Sequence, residues 1–127
     1  MPAHGTIVWT ELETWDVEAA KAFYAATLGW RFEPMPMGEG EPYWIIFSGT
    51  ERVGGLFRLT SPMFDGMPAH WFTYIEVDDV DARLAKVAEA GGEVVRPASD
   101  IPGVGRFGIV KDASGAVAGW MTSCAEA

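Results

Sequence analysis

Trp9, Glu11 and Glu13 alternate along T-I-V-W-T-E-L-E-T, which begins at Thr6. Residues two apart on a strand share a face, so this stretch sets a large aromatic beside two carboxylates. Ile7 belongs to the same face, and Val8, Thr10 and Leu12 to the other. The second half repeats the arrangement with Phe72, Tyr74 and Glu76, backed by Thr73, Ile75 and Val77. Carboxylates beside aromatic walls can do two kinds of work. They can hold a cation or a donor of a ligand stacked on the rings, or, when desolvated, move protons as general acids or bases. Burial beside Trp9 would favour the neutral form of Glu11 and raise its pKa, which makes Glu11 the candidate acid or base. The competing reading is that Glu11 bonds locally or pairs with Arg106 or Arg52. Glu13 and Glu76 lie toward strand ends, where solvation is the expectation.

Other residue types offer less. Cys124 is the one cysteine, so no intramolecular disulfide framework exists and a reducing cytoplasm is the expected setting. G-V-G-R-F from Gly103 is rich in glycine but lacks the Lys-Ser/Thr and the helix start of a phosphate loop. It reads as a turn presenting Arg106. Met35, Met37, Met63 and Met67 sit in Pro/Gly-rich stretches and read as adaptable apolar contacts or as cover for the core edge.

The elements that carry these residues occur twice. W-T-E-L-E-T-W-D-V-E-A-A-K-A from Trp9 aligns without a gap on F-T-Y-I-E-V-D-D-V-D-A-R-L-A from Phe72. Thr10 meets Thr73, Glu13 meets Glu76, Asp16 meets Asp79, Val17 meets Val80 and Gly29 meets Gly92, with about a third of positions identical. Each copy reads as an alternating strand, an Asp N-cap, a helix and a glycine stop. Val17, Ala20, Tyr24 and Leu28 form the apolar stripe of the first helix, and Val80, Leu84 and Val87 that of the second. Three further strands follow each helix, near 30–33, 42–48 and 53–59, then 93–96, 106–111 and 116–122. The fold class is therefore α+β, built of two βαβββ modules over about 5–60 and about 70–123, joined by a Pro/Gly-rich linker at about 61–69.

The chain has 127 residues, 49% of them hydrophobic, which suits one domain with a real core. Its net charge of −9 disfavours nucleic acid and anionic membrane, both of which need basic clusters. No run is long and apolar enough to span a bilayer, and the N-terminus lacks the pattern of a signal peptide.

The D-V-E-A-A-K-A-F-Y-A-A-T-L-G-W stretch from Asp16, Y-I-E-V-D-D-V-D-A from Tyr74, P-G-V-G-R-F from Pro102 and D-A-S-G-A from Asp112 resemble the vicinal oxygen chelate superfamily. That is the group of glyoxalases, bleomycin resistance proteins and extradiol dioxygenases, and the likeness spans nearly the whole chain. The resemblance implies curved mixed sheets forming a cleft, often within a homodimer. It also implies metal ligands on the first and last strand of each module. Those positions fall on Trp9 and Phe72, and on about Gly55 and Gly119, none of which offers a ligand atom. His4 and His70, just upstream of their strands, are the alternative ligands of a non-standard site.

With Trp9 at a ligand position, Ile7, Trp9, Glu11 and Glu13 line the cleft, and so do Phe72, Tyr74 and Glu76. The expected function is a metal-independent small-molecule-binding protein with an aromatic, acidic cleft, using no cofactor and taking a planar or cationic ligand. Trp9, Glu11, Phe72, Tyr74 and Arg106 form its binding set, and Trp9 and Phe72 could equally be core that fills an obsolete cavity. The alternative is an enzyme of lyase, isomerase or dioxygenase type that uses Glu11 as general base or a metal on His4 and His70.

Overall fold

The computed structural model describes residues 2–36 and 40–124. Met37 therefore lies outside the described residues. The chain forms two compact units, one of residues 9–71 and one of residues 1–8 with 72–127. The fold class is α+β, with two βαβββ repeats in chain order. These are β1 (Ile7–Thr14), α1 (Val17–Leu28), β2 (Arg31–Met35), β3 (Tyr43–Ser48) and β4 (Glu51–Arg58), then β5 (His70–Glu76), α2 (Val80–Leu84), β6 (Glu93–Ile101), β7 (Gly105–Lys111) and β8 (Val117–Ser123).

In the 9–71 unit the strands lie in the order β2-β3-β4-β1. The β2–β3 and β3–β4 pairs are antiparallel, and β4–β1 is parallel, with Glu11 opposite Gly55. A parallel pair cannot be joined by a tight turn, and α1 with β2 and β3 makes the connection. Leu12, Val17, Ile46 and Leu56 form the buried centre between sheet and helix, with Ala20, Tyr24, Trp30, Phe32 and Trp44 packed around them. Leu12 points to the helix, so alternation turns Trp9, Glu11 and Glu13 to the opposite face. Asp16 caps α1, accepting from the Ala19 N–H at 2.9 Å, and Gly29 closes it in the left-handed conformation at φ 72°. Leu28, expected in the buried stripe, is 57% exposed. It is the last residue of α1.

The second unit repeats the plan in the order β5-β8-β7-β6, again with a parallel first-to-last pair that sets Tyr74 opposite Gly119. Asp79 caps α2 by accepting from the Ala82 N–H at 3.1 Å. The second helix departs from its copy. It is regular only to Leu84, and turns carry the chain on to Gly91, which takes the positive φ of 95° that the repeat assigned to Gly92. Gly92 is needed for closeness instead, because a Cβ there would lie 2.6 Å from the Lys111 carbonyl oxygen. β6 is longer than its pattern suggested and passes through Pro97. It does so with register shifts between Val94 and Arg96 and between Arg96 and Ser99. An edge strand with bulges accommodates the missing N–H of a proline. No helix of the described residues is long and apolar enough to cross a membrane.

Candidate functional site

Glu11 sits in the middle of β1 and is 6% exposed. Burial of a carboxyl at that depth requires hydrogen-bond partners, and Tyr43 supplies one. The Tyr43 hydroxyl donates to Glu11 Oε1 at 2.8 Å and accepts from Trp9 Nε1–H at 2.9 Å. Trp9, Tyr43 and Glu11 thus form a directional chain of donors, with the carboxylate as its acceptor end. Alternation explains how Tyr43 arrives there. Trp44 and Ile46 of β3 turn toward α1 and pack on the core, so Tyr43 must turn to the face of Glu11.

The ring then leans across β4 over Gly55. A Cβ built on Gly55 would lie 1.7 Å from the Tyr43 hydroxyl oxygen and 2.3 Å from its Cζ. Tyr43 is the residue of this site that the sequence reading missed. The signal was present in Gly55 of β4, which leaves its face of the strand without a side chain at that position and so leaves room for a neighbouring ring.

Glu13, on the same face, was expected to be solvated. Its side chain is only 13% exposed and pairs with His70 Nε2 at 3.2 Å, while His70 Nδ1 lies 2.8 Å from the Pro68 carbonyl oxygen. With Trp15 Nε1 donating to the Met67 carbonyl at 2.7 Å, this pair ties the segment before β5 down to β1.

The other unit places Phe72, Tyr74 and Glu76 on one face of β5. The Phe72 and Tyr74 rings meet edge-on at 5.1 Å, and Tyr74 meets Phe107 at 6.3 Å. Gly119 mirrors Gly55, since a Cβ there would lie 2.5 Å from the Tyr74 ring and 3.1 Å from Phe72. Glu76 corrects a second expectation of solvation. It is 2% exposed and accepts from the Ser123 N–H at 2.9 Å and the Ser123 hydroxyl at 2.6 Å. Those bonds tie the end of β5 to the end of β8.

Arg106 lies within β7, and its side chain reaches α2, while Phe107 turns the other way to Tyr74. Its guanidinium is bidentate on Asp81, at 2.8 and 3.1 Å, and also donates to Asp100 at 3.1 Å. Hydrogen bonding by Arg106, with the attraction of its charge, holds the Asp81 carboxyl below its ordinary value of 3.8. Arg106 and Asp81 share the lining of a depression of about 390 Å³ with Asp79, Asp100, Pro102 and Cys124. Phe72 and Tyr74 do not line it.

The residues present do not fit the metal that the resemblance implies. Indole, phenyl and two glycines stand at the four ligand positions, and tyrosine rings fill the space above both glycines. His4 Nδ1 accepts from the Asp78 N–H at 3.0 Å, and His70 is engaged with Glu13. Among the described residues no group of three or more His, Cys, Asp or Glu side chains could hold a metal ion.

Two βαβββ units with paired first and last strands are the architecture of a known class. The family model for the Glyoxalase/Bleomycin resistance protein/Dioxygenase superfamily matches residues 6–118, and the chain belongs to that superfamily. CFP32 of Mycobacterium tuberculosis, provisionally named a glyoxylase, is 42% identical over 113 residues, covering 89% of this chain and 42% of CFP32. The anthracycline biosynthesis protein DnrV of Streptomyces peucetius is 31% identical over 125 residues, covering 90% of this chain and 46% of DnrV. The chain thus spans a little under half the length of these relatives. Among solved structures, methylmalonyl-CoA epimerase of Mycobacterium tuberculosis matches with a TM-score of 0.65 at 15% identity, covering 98% of this chain and 94% of its own. Methylmalonyl-CoA epimerase of Streptomyces coelicolor matches with a TM-score of 0.66 at 21% identity, covering 97% and 100%. At such identities the likeness establishes the fold alone.

Proposed function

We propose that the protein binds a small planar ligand bearing a cationic or donor group, without a metal. The observation that carries this reading is the Trp9–Tyr43–Glu11 chain, a buried carboxylate fixed beside an indole and a phenol where the family would place ligands. Aromatic faces supply stacking area, and a desolvated carboxylate supplies orientation. Phe72 and Tyr74 offer an aromatic face of the same kind in the other unit, and we propose them as ligand contacts of that unit in their own right. Arg106, committed to Asp81 and Asp100, is left out of the binding set. The involvement of DnrV in anthracycline biosynthesis supports a polycyclic ligand, and the net charge of −9 supports a cationic one.

The test is titration with proflavine, a planar cation, followed by tryptophan quenching. Saturable quenching in the wild type and its loss in Glu11→Gln are expected. Elemental analysis of untagged protein is the companion measurement, and a stoichiometric divalent metal would overturn the metal-free reading.

The second reading is an enzyme in which Glu11 acts as general base with Tyr43 as its hydrogen-bonding partner. The glyoxylase name of a 42% identical relative favours it. In that case Glu11→Gln abolishes turnover while thermal melting is retained. We further propose a homodimer in a reducing cytoplasm. The exposure of apolar side chains such as Phe23 at 59% and Met63 at 77% supports self-association. Light scattering on the purified chain decides between one and two copies.

A further inference from the structure

We infer that Tyr43 is the positioning residue of this site, setting the one orientation in which the Glu11 carboxyl meets a ligand. The inference rests on the reading of Glu11 as a ligand contact and extends it. A glutamate on a strand has three rotatable bonds, and a single charge on its end discriminates poorly among donors. Tyr43 removes that freedom. Its hydroxyl has a donor, spent on Glu11 Oε1, and an acceptor, spent on Trp9 Nε1–H. The indole therefore fixes the hydroxyl, and the hydroxyl fixes the carboxyl.

The ring itself is held by the absence of a side chain at Gly55, where a Cβ would come within 2.3 Å of Cζ and 2.8 Å of Cε2. The space that a last-strand metal ligand would need is thus taken by a phenol that organises a carboxylate instead. Such a site selects ligands by where their N–H or O–H donors lie relative to a flat ring, beyond charge alone. A planar amine or a planar compound with a phenolic or amide donor fits this chemistry.

The experiment compares wild type with Tyr43→Phe, Glu11→Gln and a control, Tyr24→Phe, which alters a tyrosine of the helix-side core. In ligand-free protein, the Trp9 indole N–H resonance and the Glu11 Cδ resonance both move in Tyr43→Phe, and neither moves in Tyr24→Phe. An unmoved Glu11 resonance shows that the Tyr43 hydroxyl does not act on the carboxyl, and that outcome overturns the inference. In proflavine titrations Tyr43→Phe weakens binding by about tenfold, the scale of one hydrogen bond to a charged group, and saturation is still reached. Loss of binding in Glu11→Gln with unchanged binding in Tyr43→Phe refutes positioning by Tyr43 and leaves the binding reading standing. Unchanged binding in Glu11→Gln refutes the binding reading and, with it, any ligand for Tyr43 to serve.

Discussion

The hydroxyl oxygen of Tyr43 stands 1.7 Å from where a Cβ on Gly55 would be, so the two residues compete for one space. Gly55→Ala forces the phenol away from both Trp9 and Glu11. We expect a loss of about 1–3 kcal/mol, the usual cost of overpacking, seen as a lower urea midpoint with an unchanged slope. Tyr43→Ala removes the competitor, so adding Gly55→Ala to it costs little more. The double-mutant cycle is then strongly non-additive, and simple additivity would show that the two residues do not share the space.

Glu76 is a structural carboxyl that resembles a functional one. Glu76→Ala removes both acceptors of Ser123 and opens a gap at a site that is 2% exposed, and is expected to cost about 2–4 kcal/mol in urea unfolding. Glu76→Gln should cost nearer 1 kcal/mol, because its carbonyl still accepts from the Ser123 N–H and the serine hydroxyl can turn to accept from the amide. Neither substitution should alter proflavine affinity where the protein remains folded. A selective loss of affinity would move Glu76 into the binding site.

The Arg106–Asp81 pair makes a prediction about pH. The folded-state pKa of Asp81 is depressed, chiefly by hydrogen bonding from Arg106. Its contribution to stability is therefore present above the unfolded value near 3.8 and is lost as pH falls through the lower folded value. Arg106→Gln should fall below wild type in stability near neutral pH, and the difference should shrink as pH falls below 3.8 and close only once pH is below the lowered folded value. Because the pair is exposed, moderate salt should also narrow the difference. Ligand titrations should not distinguish the variant, and a marked loss of proflavine affinity would restore Arg106 to the binding set.

Much of the architecture was legible in the chain. The Asp16 and Asp79 caps, the strand alternation that separates Glu11 from Leu12, and the order of elements in each half all depend on neighbours within a few residues. Near-neighbour rules describe such features well, because the backbone geometry of one strand or one turn sets them. The second helix was less legible. Val80, Leu84 and Val87 continue a helical stripe, yet regular helix stops at Leu84, and Gly92 answers to the Lys111 carbonyl on another strand rather than to its own helix.

By itself the sequence determined the twofold βαβββ pattern, the carboxylates beside aromatic residues, and the absence of ligand side chains at Trp9, Phe72, Gly55 and Gly119. The tertiary structure alone decided which partners those features take. Tyr43 reaches Glu11 across 32 residues of chain, Glu76 is taken up by Ser123 across 47, and Arg106 is spent on Asp81 across 25. Each partnership depends on strand register and on which bare glycine lets a ring lean over. Both are settled only when separate strands pair, since a shift of one residue would turn every one of these side chains to the opposite face.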